Sequence, residues 1–181
     1  MTSAKVRVLR RRTMYQGRII RLVREELAVQ GRRLVRETVL HPGAVVIVPV
    51  LDRNRLVLVR QYRRAAERVL LELPAGTLEP GEPRPQCARR ELIEETGWRA
   101  GRLRRIGQFF AAPGFISEQL TIFLAQDLTP ATANPDPDEM VHPVVLPFAE
   151  VLRRIRSGEI CDGKTIIGML FAERVLRRGR A

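Results

Sequence analysis

The run AVVIVPVL, residues 44–51, restricts the possible folds more than any other stretch of the chain. It is far shorter than the roughly 20 apolar residues that span a bilayer. It is also too continuously apolar for a strand with one face in water, which would alternate. It therefore reads as a central strand covered on both faces. RLVLVRQY follows after Asp52-Arg53-Asn54, and the two stretches are expected to form the core of a sheet.

The remaining elements are expected around that core. After a short basic lead, RIIRLVREELAV and RRLVRETVL, separated by Gln30-Gly31, read as an N-terminal β-hairpin with arginine-rich outer positions. LLELPAGTLEPGEP breaks every periodicity with prolines and glycines and reads as a long loop feeding a helix over residues 85–96. Pro83 and Pro85 suit the first helical turn, and Gly97 suits a left-handed stop. Further strands are expected over residues 104–111 and 118–126, then a polar loop TPATANPDPDE, a last strand VHPVVLPF, and helices over 148–156 and 164–178. This order predicts a mixed α+β sheet protein rather than a doubly wound parallel sheet. Residues 1–40 form N-terminal strands of the same unit, and residues 41–181 form its main body.

The formal net charge is +12, and arginine carries it, since only Lys5 and Lys164 are lysines. Such an excess arises from nucleic-acid binding, from steering of an anionic substrate, or from a coding bias toward arginine in the host. The clusters Arg10-Arg11-Arg12 and Arg174, Arg177, Arg178 and Arg180 lie near the termini with no aromatic residues between them, which argues against single-strand stacking. Cys87 and Cys161 have no zinc-motif spacing, and MTSAKVRVLRRR lacks the apolar core of a signal peptide. These features predict a reducing cytoplasm and no membrane segment.

One motif runs against the positive charge. RRELIEETGW places Glu91, Glu94 and Glu95 at i, i+3 and i+4, on one face of the expected helix, where like charges repel. A solvated face is the simple reading. Against it stand the glycine-rich loop ahead of the helix, a further acid in that loop, Glu82, and an internal counter-charge, Arg90. Hard divalent cations take oxygen ligands, and carboxylates on adjacent helical turns can hold them while phosphate oxygens complete the coordination.

Gly76, five residues, Glu82, seven residues, then RELIEETGW resembles the complete signature of the Nudix hydrolases. The resemblance implies a Nudix fold, a mixed β-sheet sandwiched between helices, over residues 41–181. It implies a metal-dependent pyrophosphatase using Mg2+ or Mn2+, with two or more ions per site. Glu91 and Glu95 would be principal metal ligands and Glu94 a ligand or supporting carboxylate. Arg90 would orient Glu82, Gly76 would shape the loop, and Gly97 would close the helix. Outside the signature, ELPAG (72–76), RQYR (60–63), HPGA (41–44), APGF (112–115) and DGKT (162–165) resemble the ADP-ribose pyrophosphatase subfamily, as does Pro113, fifteen residues beyond Trp98. By that resemblance the Ala75 carbonyl is a metal ligand, and Arg63 reaches the phosphate or terminal ribose. Arg36 and Glu118 are further substrate candidates beside Pro113. Ala112 departs from the subfamily, where a serine is common. The catalytic base would come from ANPDPDEM, with Glu139, Asp138 and Asp136 as candidates; a carboxylate on a loop that closes over substrate suits base catalysis. Neither His41 nor His142 reads as a catalyst. The resemblance further implies a homodimer with exchanged N-terminal strands. The expected reaction is hydrolysis of ADP-ribose to AMP and ribose 5-phosphate. GDP-mannose, another nucleotide sugar or a dinucleotide is the alternative substrate, followed by the 5′ end of RNA. A nucleic-acid-binding protein without catalysis would have no use for the acids of the signature.

Overall fold

A computed structural model describes residues 6–133 and 140–178. The chain divides into two compact units, one built from the residues up to Gly43 with Phe110–Gln119, the other from Ala44–Phe109 with Leu120 onward.

The first unit is a three-stranded antiparallel meander, β1 (Val6–Gln16), β2 (Arg21–Val29) and β3 (Arg32–Leu40), in that order. The expected hairpin is β2–β3. Gln30 and Gly31, at φ of 50° and 78°, make the two-residue turn whose twist suits a hairpin. The basic lead is not a lead, because Val6–Gln16 forms a further strand. Opposite β2, Arg10 faces Glu26 and Arg11 faces Glu25, and the Arg11–Glu25 ion pair closes to 2.7 Å. Cross-strand pairs of opposite charge stabilise such a ladder, so the arginines that disguised the strand help to hold it. The segment after Phe110 joins the end of β3 through Val39 N–H to Phe115 O and Ser117 N–H to Val39 O.

The second unit contains two sheets. The first, in order β7 (Ala75–Thr77), β4 (Ala44–Pro49), β9 (Gln119–Pro130) and β8 (Trp98–Phe110), is mixed: β4 runs parallel to β9 and antiparallel to β7. The second joins β10 (Val141–Pro147), β5 (Arg55–Arg63) and β6 (Arg68–Glu72). Helices α1 (Arg84–Thr96), α2 (Phe148–Arg156) and α3 (Gly163–Arg178) complete it. Along β4 the side chains alternate between two cores. Val46 and Val48 pack with Leu58, Leu73, Ile122, Val151 and Met169, on the side of the second sheet, α2 and α3. Val45 and Ile47 pack with Ala88, Leu92, Phe123 and Ala125, on the side of α1. A strand with a core on each face needs an apolar residue at every position, which is the run AVVIVP. Among the described residues no helix is long and apolar enough to cross a membrane.

Two expectations are corrected. The stretches around Asp52-Arg53-Asn54 do not share one sheet: β4 and β5 touch as strands only at the Val50–Leu56 bridge and then separate. Asp52 Oδ1 accepts from the N–H groups of Asn54 and Arg55 and turns the chain sharply, while β4 takes β7 and β9 as its neighbours. The stretch ahead of α1 holds the end of β6, which closes a local hairpin with β5 across residues 64–67, and the short strand β7, whose partner β4 lies far upstream; five and three residues show no periodicity.

Ile47 is fully buried under α1. Ile47→Ala is expected to lower unfolding free energy by about 2–5 kcal/mol, measured by urea denaturation followed through the fluorescence of the single tryptophan, Trp98.

Candidate active site

The glutamate helix α1 starts after Pro83 in extended conformation, with a proline in its first two positions, and stops at Gly97 with φ 70°. The Gly97 N–H returns to Ile93 O at 2.9 Å. Its buried residues are Cys87, Ala88, Glu91, Leu92, Glu95 and Thr96. Two of the three glutamates are thus inside, with Glu91 9% and Glu95 4% exposed. Burying a carboxylate is costly unless it is hydrogen-bonded or paired, and the structure supplies partners in two ways.

The first is backbone. A Cβ added to Gly76 would lie 1.8 Å from Cδ of Glu91, so the absence of a side chain there is the space that the Glu91 carboxylate fills. Glu95 Oε2 accepts the Ala75 N–H at 3.1 Å. Both carboxylates therefore converge on the Ala75–Gly76 backbone of β7. The second is Arg90. Its Nε and Nη2 donate to the two oxygens of Glu82 at 2.9 and 3.0 Å, and its Nη1 donates to Glu91 and Glu94, each at 2.8 Å. The Arg90 hydrogen bonds hold the Glu82 carboxyl below its ordinary value. Glu82, Glu91 and Glu94 thus share the one Arg90 guanidinium, while the charge of Arg63 acts on Glu95. Cys87, in its midst, is buried, and burial together with Glu82 and Glu91 pushes its thiol up, so it stays neutral.

A hard divalent cation fits this donor set. All the candidate donors are oxygens, two carboxylates are held against one backbone segment, and the Ala75 carbonyl belongs to that segment. Among the described residues no three His, Cys, Asp or Glu side chains form a complete metal-holding group. Substrate phosphates and water would have to supply the remaining ligands, as is usual for magnesium.

Gly76, Glu82, Arg90, Glu91, Glu94, Glu95, Gly97 and Ala75 thus assemble around β7, α1 and the loop between them. Arg63, on β5, donates through Nε and Nη2 to Glu72, the latter bond at 2.6 Å to Oε2. Glu72 also receives Lys164. Burial raises the Glu72 carboxyl, but the Arg63 hydrogen bond and the Lys164 charge outweigh that, and the net effect is downward. Glu72, Lys164 and the Asp162 and Thr165 that accompany it were not singled out by sequence reasoning; their only signal was the ELPAG and DGKT stretches. Arg36, Pro113 and Glu118 belong to the other compact unit. There Arg36 is exposed and donates to its neighbour's carbonyl, Val35 O, at 2.9 Å, and Pro113 is exposed. Glu118 Oε1 lies 3.9 Å from His41 Nδ1, which accepts the Gly43 N–H. Asp136, Asp138 and Glu139 lie outside the described residues.

Gly76→Ala is expected to keep stability within about 1 kcal/mol of wild type, because the clash falls on the end of a side chain, and a crystal structure should show Glu91 turned out of its place. Glu72 adds a pH dependence. A carboxyl held below its ordinary value of 4.5 stabilises the fold fully above that value, and the contribution is lost as pH falls through its folded-state value. Melting temperatures followed from about pH 7 down through and below the ordinary carboxylate range, about pH 4, should fall less steeply for Glu72→Gln, which starts lower at neutral pH.

The family model described as NUDIX domain matches residues 40–164. An ADP-ribose pyrophosphatase of Bacillus subtilis (strain 168) is 34% identical over 176 residues, covering 96% of this chain and 95% of that protein. A GDP-mannose pyrophosphatase of Salmonella arizonae is 36% identical over 134 residues, covering 69% of this chain and 70% of that protein. A crystal structure of an ADP compounds hydrolase superposes with a TM-score of 0.87 at 28% identity, over 100% of both chains. The chain belongs to the Nudix family of hydrolases, and the subfamily it resembles is that of the ADP-ribose pyrophosphatases.

Proposed function

We propose that this enzyme hydrolyses ADP-ribose between its two phosphates, giving AMP and ribose 5-phosphate, in the presence of Mg2+ or Mn2+. The observation that carries the reading is the convergence of Glu91 and Glu95 on the Ala75–Gly76 backbone. Water adds to one phosphorus, the bond from that phosphorus to the bridging oxygen breaks, and the two products leave as phosphomonoesters. When bound, the divalent cations polarise the pyrophosphate and lower the pKa of coordinated water.

The chain's own residues divide the remaining work. Glu91, Glu95 and the Ala75 carbonyl hold cations, two or more per site, with Glu94 supporting them. Arg90 and Glu82 keep that set in register through four hydrogen bonds. Glu72 grips Arg63 by Nε and Nη2, which leaves Nη1 for a phosphate or ribose oxygen. Arg36, Glu118 and Pro113 are further substrate-binding residues, and the proton of the attacking water passes to a carboxylate among Asp136, Asp138 and Glu139. A homodimer in the cytoplasm completes the reading. It is supported by β1, which is exposed at every residue and carries Val6, Val8, Leu9, Met14 and Tyr15 along a sheet edge; an edge of that length is normally covered.

GDP-mannose is the second reading, and the Salmonella relative favours it. ADP-ribose ranks above it because the Bacillus relative matches over nearly the whole length of both chains. Incubation with ADP-ribose and GDP-mannose, each with and without Mg2+, followed by chromatography of the products, should yield AMP and ribose 5-phosphate only when the metal is present. Glu95→Gln should lower turnover about a hundredfold or more while remaining folded; wild-type turnover in that variant would overturn the metal-site assignment.

A further inference from the structure

The segment that delivers Ala75 and Gly76 of β7 is tied at each residue to the rest of the second unit. Glu72, fully buried, takes Arg63 of β5 and Lys164 of α3. The Leu73 N–H donates to Thr165 Oγ1 at 2.8 Å, with both side chains buried. The Pro74 carbonyl accepts the Ile47 N–H of β4 at 2.8 Å, and the Ala75 N–H goes to Glu95. Two of these five ties, those to Lys164 and Thr165, come from the first turn of α3.

We propose that Thr165 is a positioning residue for the metal-binding stretch Ala75–Gly76 of β7, with Asp162 and Lys164 setting its orientation; the inference rests on the metal-site reading above. The Thr165 hydroxyl has two directed bonds. It accepts from Leu73, and it donates to Asp162 Oδ2 at 2.5 Å. That same Asp162 oxygen accepts the Thr165 N–H and the Lys164 ammonium, each at 3.0 Å. An N-terminal cap of this kind fixes the helix start, and here the capped residue passes the constraint on to Leu73, two residues before the candidate carbonyl ligand. Gly168, one turn further along α3, supplies a second point of contact. A Cβ there would lie 2.6 Å from Cδ1 of Leu73, so the helix backbone seats directly on the Leu73 side chain. Hydroxyl and glycine together fix both the direction of the Leu73 N–H and the height of its side chain. With the hydroxyl removed, a buried N–H loses its partner, and the stretch that carries the Ala75 carbonyl and cradles Glu91 is free to shift.

Mn2+ binding to the nucleotide-free protein, titrated by electron paramagnetic resonance, tests this without reference to turnover. Thr165→Val should weaken Mn2+ binding by about tenfold to a hundredfold and speed hydrogen exchange at the Leu73 amide, and Thr165→Ser should restore both. Wild-type affinity in Thr165→Val overturns the proposal. Lys164→Met guards against a buried variant that fails to fold: it removes one arm of the Glu72 clamp at a partly exposed position. It should bind Mn2+ more weakly while folding normally, and unchanged affinity there would also overturn the proposal. Glu95→Gln separates the two levels of the argument. If it loses Mn2+ while Thr165→Val and Lys164→Met keep it, only the positioning role is wrong. If Glu95→Gln binds Mn2+ as wild type does, the metal site itself is misassigned and the positioning role falls with it.

Discussion

The costliest arrangement in this protein is a pair of carboxylates on one helix, Glu91 and Glu95, each less than a tenth exposed. Water cannot solvate them there, so the protein must. It does so with the least adaptable groups available. A glycine offers the space its missing side chain leaves, a backbone N–H donates to one carboxylate, and a single arginine bridges three other contacts around the cluster. The acids repel one another even so. Such a cluster is stable only while the scaffold prevents the acids from separating, and on the metal-site reading proposed above an incoming cation would relieve that repulsion.

The scaffold requirement explains the course of the chain around it. The Ala75–Gly76 stretch of β7 needs a fixed height and direction relative to α1. Height comes from β4, whose odd-numbered residues Val45 and Ile47 meet α1 while Val45 and Val46 stand opposite Gly76 and Ala75 in β7. One continuous apolar strand thereby sets both the helix and the stretch that faces it. Direction comes from the other core, where Leu73 lies among Val46, Val48 and Met169. Stretch and helix are thus referenced to the same strand from its two faces, and the separation between Gly76 and Glu91 follows from core packing rather than from loop conformation.

The parts of this design legible in the sequence were those with local physics. The α1 ends are signalled by proline and glycine at fixed positions, and the bounds of α2 and α3 by the switch to helical spacing. The central strand follows from its unbroken apolar run. The parts that were not legible depend mostly on partners distant in sequence. In β1 the arginines look like a solvated tail until Glu25 and Glu26 are seen opposite them. β6 and β7 are too short to show a period, and the proline and glycine around them signal a loop. At the site, the acids are visible as a pattern and their roles follow from family resemblance, but the burial of Glu91 depends on Gly76, and that of Glu72 on Lys164, 92 positions away. Polar networks of this kind leave no periodic trace, since their members are scattered and each is an ordinary surface residue type.

The +12 charge acquires a different meaning once the acids are located. Many arginines are engaged locally: Arg11 with Glu25, Arg55 with Asp52, Arg153 and Arg154 with Glu150, and Arg177 with Glu173. The surplus positive charge belongs to the molecule as a whole, and α1 itself is balanced, with Arg84, Arg89 and Arg90 against Glu91, Glu94 and Glu95; the local concentration of acids is those three glutamates together with Glu82 of the preceding loop. An anionic substrate approaching such a protein is attracted at long range by the net charge and repelled at short range by the glutamates. Divalent cations held by those glutamates, as proposed above, would reverse the sign of the last few ångströms. Binding of substrate and metal is therefore expected to be mutually dependent on electrostatic grounds alone, because each neutralises the charge that opposes the other.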